Sequence, residues 1–568
     1  MSKLQKLHVP EGDTPQASAV LRACLTAALV IITIATGQSA QADAGLIVKT
    51  REGPVEGVAR NGVAEFLGIP YAAPPVGPLR WRPPVSHAAW TKPRIAAAYA
   101  PACAQVKTLG VFAGPVNNNE DCLTLNVFTP ATKSAAVEKL PVIVWIHGGG
   151  NFDGSAVGYD GGKLATMGHV VVVTIQYRLN LMGFLAHPAL DHEGHPFGNY
   201  GLLDQEFALQ WVHDNIAGFG GDPQNITLGG QSAGAYDTEL AMVSPRLNGA
   251  FRRAICQSGC STDLVLPSLE SAEATGVAFA KAAGCGTGTG PDVANCLRAL
   301  PAAKIEELAA GPASALVGSR FVIGPMVDGK IIPLEPVQAF ISGRFAHVPI
   351  MNGSVADEEN FFLAVMRYAT SPDAPLTAAQ YEGYVSAAYA PPAYPKGTAK
   401  QILDRYSPDA YPTVQQAWNR AGSDQIICGV RRFSRIVAAQ TPVYAYEFDE
   451  RTAPSYFPAM RDFVPGAFHT SDIQYVFPLW HGGPQGTPHR LDNAQTALSD
   501  RLVAAWSNFA RMGNPNGDGN ETWPRFTDEH GAEWFIEKIG TPERLPDRQY
   551  SARRNCGFWE GLHTGSQH

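Results

Sequence analysis

Short runs of β-branched and apolar residues recur along this chain between longer segments whose apolar positions fall three or four apart. The clearest runs are Val142–Ile146, Val170–Ile175, Ile226–Leu228, Arg253–Cys256, Val348–Met351 and Val443–Phe448. Strands alternating with longer amphipathic segments predict an α/β sheet. From Asp204 to Ile216, the apolar Phe207, Leu209, Trp211, Val212 and Ile216 suit a helix lying on that sheet. Ser499 to Met512 reads as another helix, with Ser499 as its N-cap and Gly513 ending it. The segment from about Phe362 to Gln425, rich in Ala, Tyr and Pro, reads equally as a lid or as a packed helical insertion. Neither an internal repeat nor a low-complexity linker divides the chain, so one large α/β domain with inserted excursions is expected.

One strand changes that picture. Ile226–Leu228 runs into Gly230-Gln231-Ser232-Ala233-Gly234, a G-x-S-x-G turn, and then into a helix read from Ala235 to Met242. So sharp a turn strains its apex, and glycines two before and two after relieve the crowding. Ser232 is thereby pushed into solvent at the positive end of the following helix, placed to attack a carbonyl. By itself the motif arises in roughly one chain in three of this length and glycine content. The flanking strand and helix, and the partners that follow, give it weight.

Attack on a carbonyl needs hydrogen-bond donors for the oxygen that becomes negative. His147-Gly148-Gly149-Gly150-Asn151 follows the first strong strand, and its glycines let backbone N–H groups approach a substrate. With the N–H of Ala233, Gly149 and Gly150 would supply up to three donors. A base is also required, and His469, in a loop of small residues after the serine, can take the hydroxyl proton and return it. Asp357-Glu358-Glu359 lies between them and offers an acid to orient the imidazole. The order nucleophile, acid, histidine is that of the α/β-hydrolases. Residues alone leave open which of the three acids serves.

The ends of the chain and its charge narrow the setting. Residues 23–36 form an uncharged apolar run, followed by Ala40-Gln41-Ala42. Fourteen residues are short for a membrane span, so residues 1–42 are expected to be a cleaved secretory signal, with an uncleaved anchor as the alternative. No later run approaches a span. Residues 43–568 would then form the single mature domain, secreted or periplasmic. The net charge of −8 offers no basic surface for nucleic acid. Eight cysteines remain after the leader: Cys103, Cys122, Cys256, Cys260, Cys285, Cys296, Cys428 and Cys556. None forms a C-x-x-C pair, so structural zinc is not expected. Cys256 and Cys260 are expected as free thiols, because four residues of extended chain exceed the roughly 7 Å reach of a disulfide unless Gly259 turns back.

Further stretches carry a resemblance. Phe66 to Ala72, Glu120 to Val127, His147 to Gly150, Gly198 to Gln205, Asn215 to Pro223, the serine turn and Gly466 to His469 together resemble the type-B carboxylesterases, the cholinesterase and carboxylesterase family. The likeness covers essentially all of the mature chain. It implies an α/β-hydrolase fold with a large, mostly parallel sheet and inserted lid or pocket segments. It also implies a serine esterase working through an acyl-enzyme, with Ser232, Glu358 and His469 as its triad and Gly149, Gly150 and Ala233 as its oxyanion hole. A carbamate or amide hydrolase with the same triad is the alternative, and a non-catalytic binding protein on the same fold is a remote one. The family requires no cofactor or metal. The partner is a small-molecule ester, and the chain is expected to act as a monomer or homodimer. By the same resemblance Cys103 pairs with Cys122, Cys285 with Cys296, and Cys428 with Cys556. Ser258 matches a position that hydrogen-bonds near the acid. Gln231 stands where Glu is usual, Glu359 where Gly is usual, and Asn151-Phe152-Asp153 makes a polar start to the loop after the glycines. Two motifs read as decoys: His192-Glu193-Gly194-His195 lacks the spacing of a metal-binding helix, and Gly284 to Gly290 lacks the strand that precedes a nucleotide-binding loop.

Overall fold

Three of the apolar runs fall in strands buried along their whole length, and alternation along them sorts side chains to two faces. In Leu140–Ile146, Val142, Val144 and Ile146 join one hydrophobic cluster while Ile143 and Trp145 join another. A strand covered on both sides has no polar face, which is why it reads as a continuous apolar run. The computed structural model describes residues 46–563, apart from 106–116, 132–138, 192, 311–320, 322, 371–372, 392–393, 479–481, 483–488, 518–519 and 528–530. The expected leader lies outside the described residues.

Among the described residues thirteen strands form the sheet: β1 (Leu46–Lys49), β2 (Pro54–Arg60), β3 (Val63–Pro70), β4 (Arg94–Ile95), β5 (Thr124–Pro130), β6 (Leu140–Ile146), β7 (Val171–Ile175), β8 (Gly221–Gln231), β9 (Arg253–Gln257), β10 (Ile350–Val355), β11 (Val443–Phe448), β12 (Glu533–Glu537) and β13 (Glu543–Pro546). Their order across it is β1-β2-β3-β5-β7-β6-β8-β9-β10-β11-β12-β13, with β4 beside β2. From β7 to β12 every neighbouring pair is parallel, the outer pairs of that order are antiparallel, and β4 runs parallel to β2. This is the α/β-hydrolase architecture.

Helices cover both faces. α1 (Gly162–Gly168) and α8 (Asn493–Met512) contribute Leu164, Leu502, Val503, Trp506 and Phe509 to one cluster. α2 (Tyr200–Asn215), α3 (Ala233–Val243) and the C-terminal half of α7 (Val414–Ala438) contribute Leu209, Trp211, Leu240, Val430 and Phe433 to the other. The segment expected as lid or insertion holds α4 (Glu359–Thr370), α5 (Ala378–Ala388), α6 (Thr398–Arg405) and the start of α7. Leu363, Tyr381, Ile402 and Trp418 close a third cluster there with Trp559 of α9 (Cys556–His563). That is a packed helical layer.

α8 begins six residues earlier than the sequence reading placed it. Asp492 accepts from the Gln495 N–H at 2.8 Å while the Gln495 side chain accepts from the Asp492 N–H at 3.0 Å, a reciprocal cap. Ser499 is buried inside the helix and donates to the Tyr475 carbonyl.

Cysteines pair as Cys103–Cys122, Cys285–Cys296 and Cys428–Cys556, and Cys256 is bridged to Cys260. The last pair corrects the expectation of free thiols. Backbone at Ser258 (φ 51°) and Cys260 (φ 36°) turns back as soon as β9 ends, and the Cα atoms lie 5.8 Å apart. On the chain-entropy model a bridge across the 128-residue separation contributes about 5 kcal/mol, and one across four residues only about 2 kcal/mol. Among the described residues no helix is long and apolar enough to cross a membrane.

Candidate active site

β8 ends at Gln231 and α3 starts at Ala233, leaving Ser232 alone at the corner. Its φ of 56° and ψ of −124° are a conformation that a residue with a side chain holds only when its surroundings impose it. The Ser232 N–H donates to the Gln257 carbonyl of β9 at 2.9 Å, and its own carbonyl accepts from Ala235 and Tyr236. The two strand-to-helix backbones pass so closely that a Cβ on Gly230 would collide with Gly234. Ser232 stays partly exposed between buried neighbours, at the positive end of α3.

β6 lies beside β8, with Ile146 opposite Gly230, so the loop after β6 meets this corner. Gly149 (φ 114°) and Gly150 (φ 63°) take conformations that favour glycine. The Gly149 carbonyl accepts from the N–H groups of Phe152 and Asp153, curling the loop on itself. Ala233 begins α3, so its N–H has no acceptor within the helix. A Cβ on Gly148 would lie 3.0 Å from Ser232 Cβ, which shows how near the glycine loop runs to the serine. Beneath it His147 stacks on Tyr177 with ring centres 4.5 Å apart, and burial lowers its pKa to about 4, so the ring is neutral.

Acid and histidine arrive on the loops after the next strands. β10 ends at Val355, and Glu358 is fully buried just beyond it. One carboxylate oxygen accepts from the Val355 N–H at 3.0 Å, and the other meets His469 Nδ1 at 2.5 Å. A carboxylate only accepts, so Nδ1 carries the proton and Nε2 the lone pair. That lone pair faces the Gln231 side-chain nitrogen at 3.2 Å. In this geometry the partner of Nε2 is therefore Gln231, not the Ser232 hydroxyl. The rings of Phe361 and Phe362 lie 5.6 and 5.4 Å from the imidazole and shield it from water.

Two acids that the sequence left as alternatives have other partners. Asp357 pins the histidine loop: its N–H donates to the Ala467 carbonyl, and its carboxylate accepts from the Ala467 N–H at 3.0 Å and from Asn419 at 2.9 Å. Glu359 opens α4, buried against Gly422, and burial together with the charge of Glu358 raises its pKa to about 8. A further acid, Asp472, escaped the sequence reading. It accepts from the Gln257 side chain at 3.1 Å, and burial, then the Glu358 charge, lifts its pKa to about 7. Its place three residues after His469 was the only signal. Ser258, expected to bond near the acid, is buried, and among the described residues its hydroxyl has no partner.

His195 meets Glu193 at 3.0 Å, and Glu193 also pairs with Arg298, while His192 lies outside the described residues. Gly284 to Gly290 holds one end of the Cys285–Cys296 bridge. Every candidate group therefore stands at the C-terminal edge of the parallel strands, where open α/β sheets bind their ligands.

Comparison with known proteins gives the family and the fold. Residues 44–559 match the model of the Carboxylesterase family. The chain is 34% identical to a medium-chain fatty acyl-CoA hydrolase precursor of Anas platyrhynchos, over 89% of this chain and 91% of that protein. It is also 34% identical to a fumonisin B1 esterase of Sphingopyxis macrogoltabida, over 89% and 88%. Among solved structures, a PNB esterase superposes with a TM-score of 0.74 at 29% identity, covering 90% of this chain and 99% of that one.

Proposed function

This chain belongs to the carboxylesterase family and is a carboxylic ester hydrolase, and from that premise we propose that Ser232, His469 and Glu358 perform the hydrolysis through an acyl-enzyme. The observation that carries the reading is the 2.5 Å contact between buried Glu358 and His469, formed at the same sheet edge as the strained Ser232.

Each step follows from the groups present. Ser232 Oγ adds to the ester carbonyl as its proton passes to His469 Nε2, which exchanges the Gln231 amide for the serine hydroxyl. Such contacts commonly tighten only once substrate is bound. The imidazolium that forms is stabilised by Glu358, which also fixes the tautomer. Negative charge on the carbonyl oxygen is met by the N–H groups of Gly149, Gly150 and Ala233. Collapse expels the alcohol, which takes the proton from His469. Water, deprotonated by the same nitrogen, then releases the acid and restores Ser232. One relative is named a fatty acyl-CoA hydrolase and the other a fumonisin B1 esterase, so the substrate is assigned as a class, the carboxylic esters. The four bridges and the apolar run at residues 23–36 support export to an oxidising compartment.

Turnover of a chromogenic short-chain ester tests the assignment. Wild-type protein hydrolyses it, and Ser232→Ala lowers kcat by about 10⁴-fold or more with an unchanged melting temperature. Unchanged turnover in that variant would remove Ser232 from the chemistry.

A further inference from the structure

The oxyanion donors proposed above come from two different elements, Gly149 and Gly150 from the loop after β6 and Ala233 from α3. Their mutual placement must hold within about 0.5 Å for all of them to meet one oxygen. Glycines carry no side chain with which to anchor a loop, so the anchor has to come from the next residue. That residue is Asn151, buried and left-handed (φ 61°).

Asn151 Nδ2 donates to Asp237 Oδ1 at 2.9 Å. Asp237 lies on α3 four residues beyond Ala233, hence one turn along the same helix face. Its other oxygen accepts from Gln205 Nε2 of α2 at 2.6 Å. The Asn151 carbonyl accepts from the Asn180 N–H at 2.8 Å, holding the loop from its other side. Asp237 is almost wholly buried, and its carboxylate is met by two neutral amides. Burial raises its pKa to about 7 even though both amides act to lower it. An apolar pair would fill this space at lower cost, and a buried polar group earns its place only where its direction matters.

We infer that Asn151, Asp237 and Gln205 form a positioning network that locks the oxyanion loop to the nucleophile helix, so that the Gly149, Gly150 and Ala233 donors converge on one point. None of the three touches substrate; they act through the backbone groups they hold. This rests on the proposed assignment of those donors.

The test compares Asn151→Ala, Asp237→Asn and the double variant with wild type. Asp237→Asn sets an amide N–H against an amide donor, and removing Asn151 relieves that conflict. Each single variant should lose about tenfold in kcat, a fraction of what deleting a donor outright costs, with KM within about twofold. The double variant should be no worse than the poorer single, because both act on one linkage. A second readout separates donor geometry from general loosening. A trifluoromethyl ketone, to which Ser232 adds so that the ketone oxygen becomes an oxyanion, should bind more weakly in step with kcat/KM. The corresponding alcohol, which forms no oxyanion, should bind as it does to wild type. If Asp237→Asn does not fold, Asn151→Ala with this inhibitor pair decides alone. Wild-type kcat in the singles, losses that multiply in the double, or equal weakening of ketone and alcohol would overturn the network. An active Ser232→Ala would instead sink the underlying assignment, so the two failures are distinguishable.

Discussion

Glu358 and Glu359 are adjacent in sequence, yet one faces the imidazole at 2.5 Å while the other is buried against Gly422. The chain passes from loop into α4 between them, so their side chains diverge. Glu358→Gln replaces the acceptor of His469 Nδ1 by an amide that also presents N–H, so turnover should fall by orders of magnitude while the melting temperature changes little. Glu359→Gln should remain active, and measuring kcat for both decides between them. An inactive Glu359→Gln beside an active Glu358→Gln would reverse the assignment. Gln231 makes a second prediction. Its amide sits 3.2 Å from His469 Nε2, and a carboxylate there would favour the imidazolium. Gln231→Glu should therefore move the acid limb of the kcat/KM profile to higher pH; an unmoved limb would show that the contact does not persist in solution. The serine corner and the glycine loop were legible because each is a local backbone demand written in consecutive residues. Contacts such as Gln231 with His469, 238 residues apart, or Asn151 with Asp237, 86 apart, leave no local trace.

Strands were legible because burial on both faces leaves uninterrupted apolar runs, and Val443–Phe448 coincides with β11 residue for residue. Element ends were less so. A serine is a favourable cap, so the sequence places the start of α8 at Ser499, whereas the capping box at Asp492 and Gln495 lies seven and four residues earlier. The Cys256–Cys260 bridge was missed for a related reason: strand geometry was carried through Ser258 and Cys260, where the backbone is left-handed. Thiol counting on the chain, denatured without reductant, should find none among these eight cysteines. Two would restore the free pair. The bridge between α7 and α9 is the one whose loss should destabilise most, since it closes the longest loop.

Across the whole molecule the sheet gathers Ser232, Glu358, His469 and the glycine loop at one edge, and burial there and elsewhere sets the response to pH. Burial is the leading cause of raised pKa at Asp237, Asp472 and Glu537 (about 7) and at Glu306 and Glu359 (about 8). Between the unfolded value near 4 and these folded values, the native state binds more protons than the unfolded chain, so stability falls as pH rises. His147 works oppositely, but only below its unfolded value near 6.5. The melting temperature should therefore drop from pH 6.5 to 8.5, with a smaller drop in Glu359→Gln; a rise over that interval would contradict these burial effects.

The central claim is that Ser232 is the nucleophile, activated by His469 at this sheet edge. Intact-mass and peptide mapping after reaction with a fluorophosphonate tests it most directly, because that reagent forms a stable bond only with an activated hydroxyl. The account predicts one adduct per chain, on Ser232, formed in step with loss of esterase activity and absent from Ser232→Ala. Full inactivation with the adduct on another residue, or full labelling of Ser232 with activity intact, would contradict it.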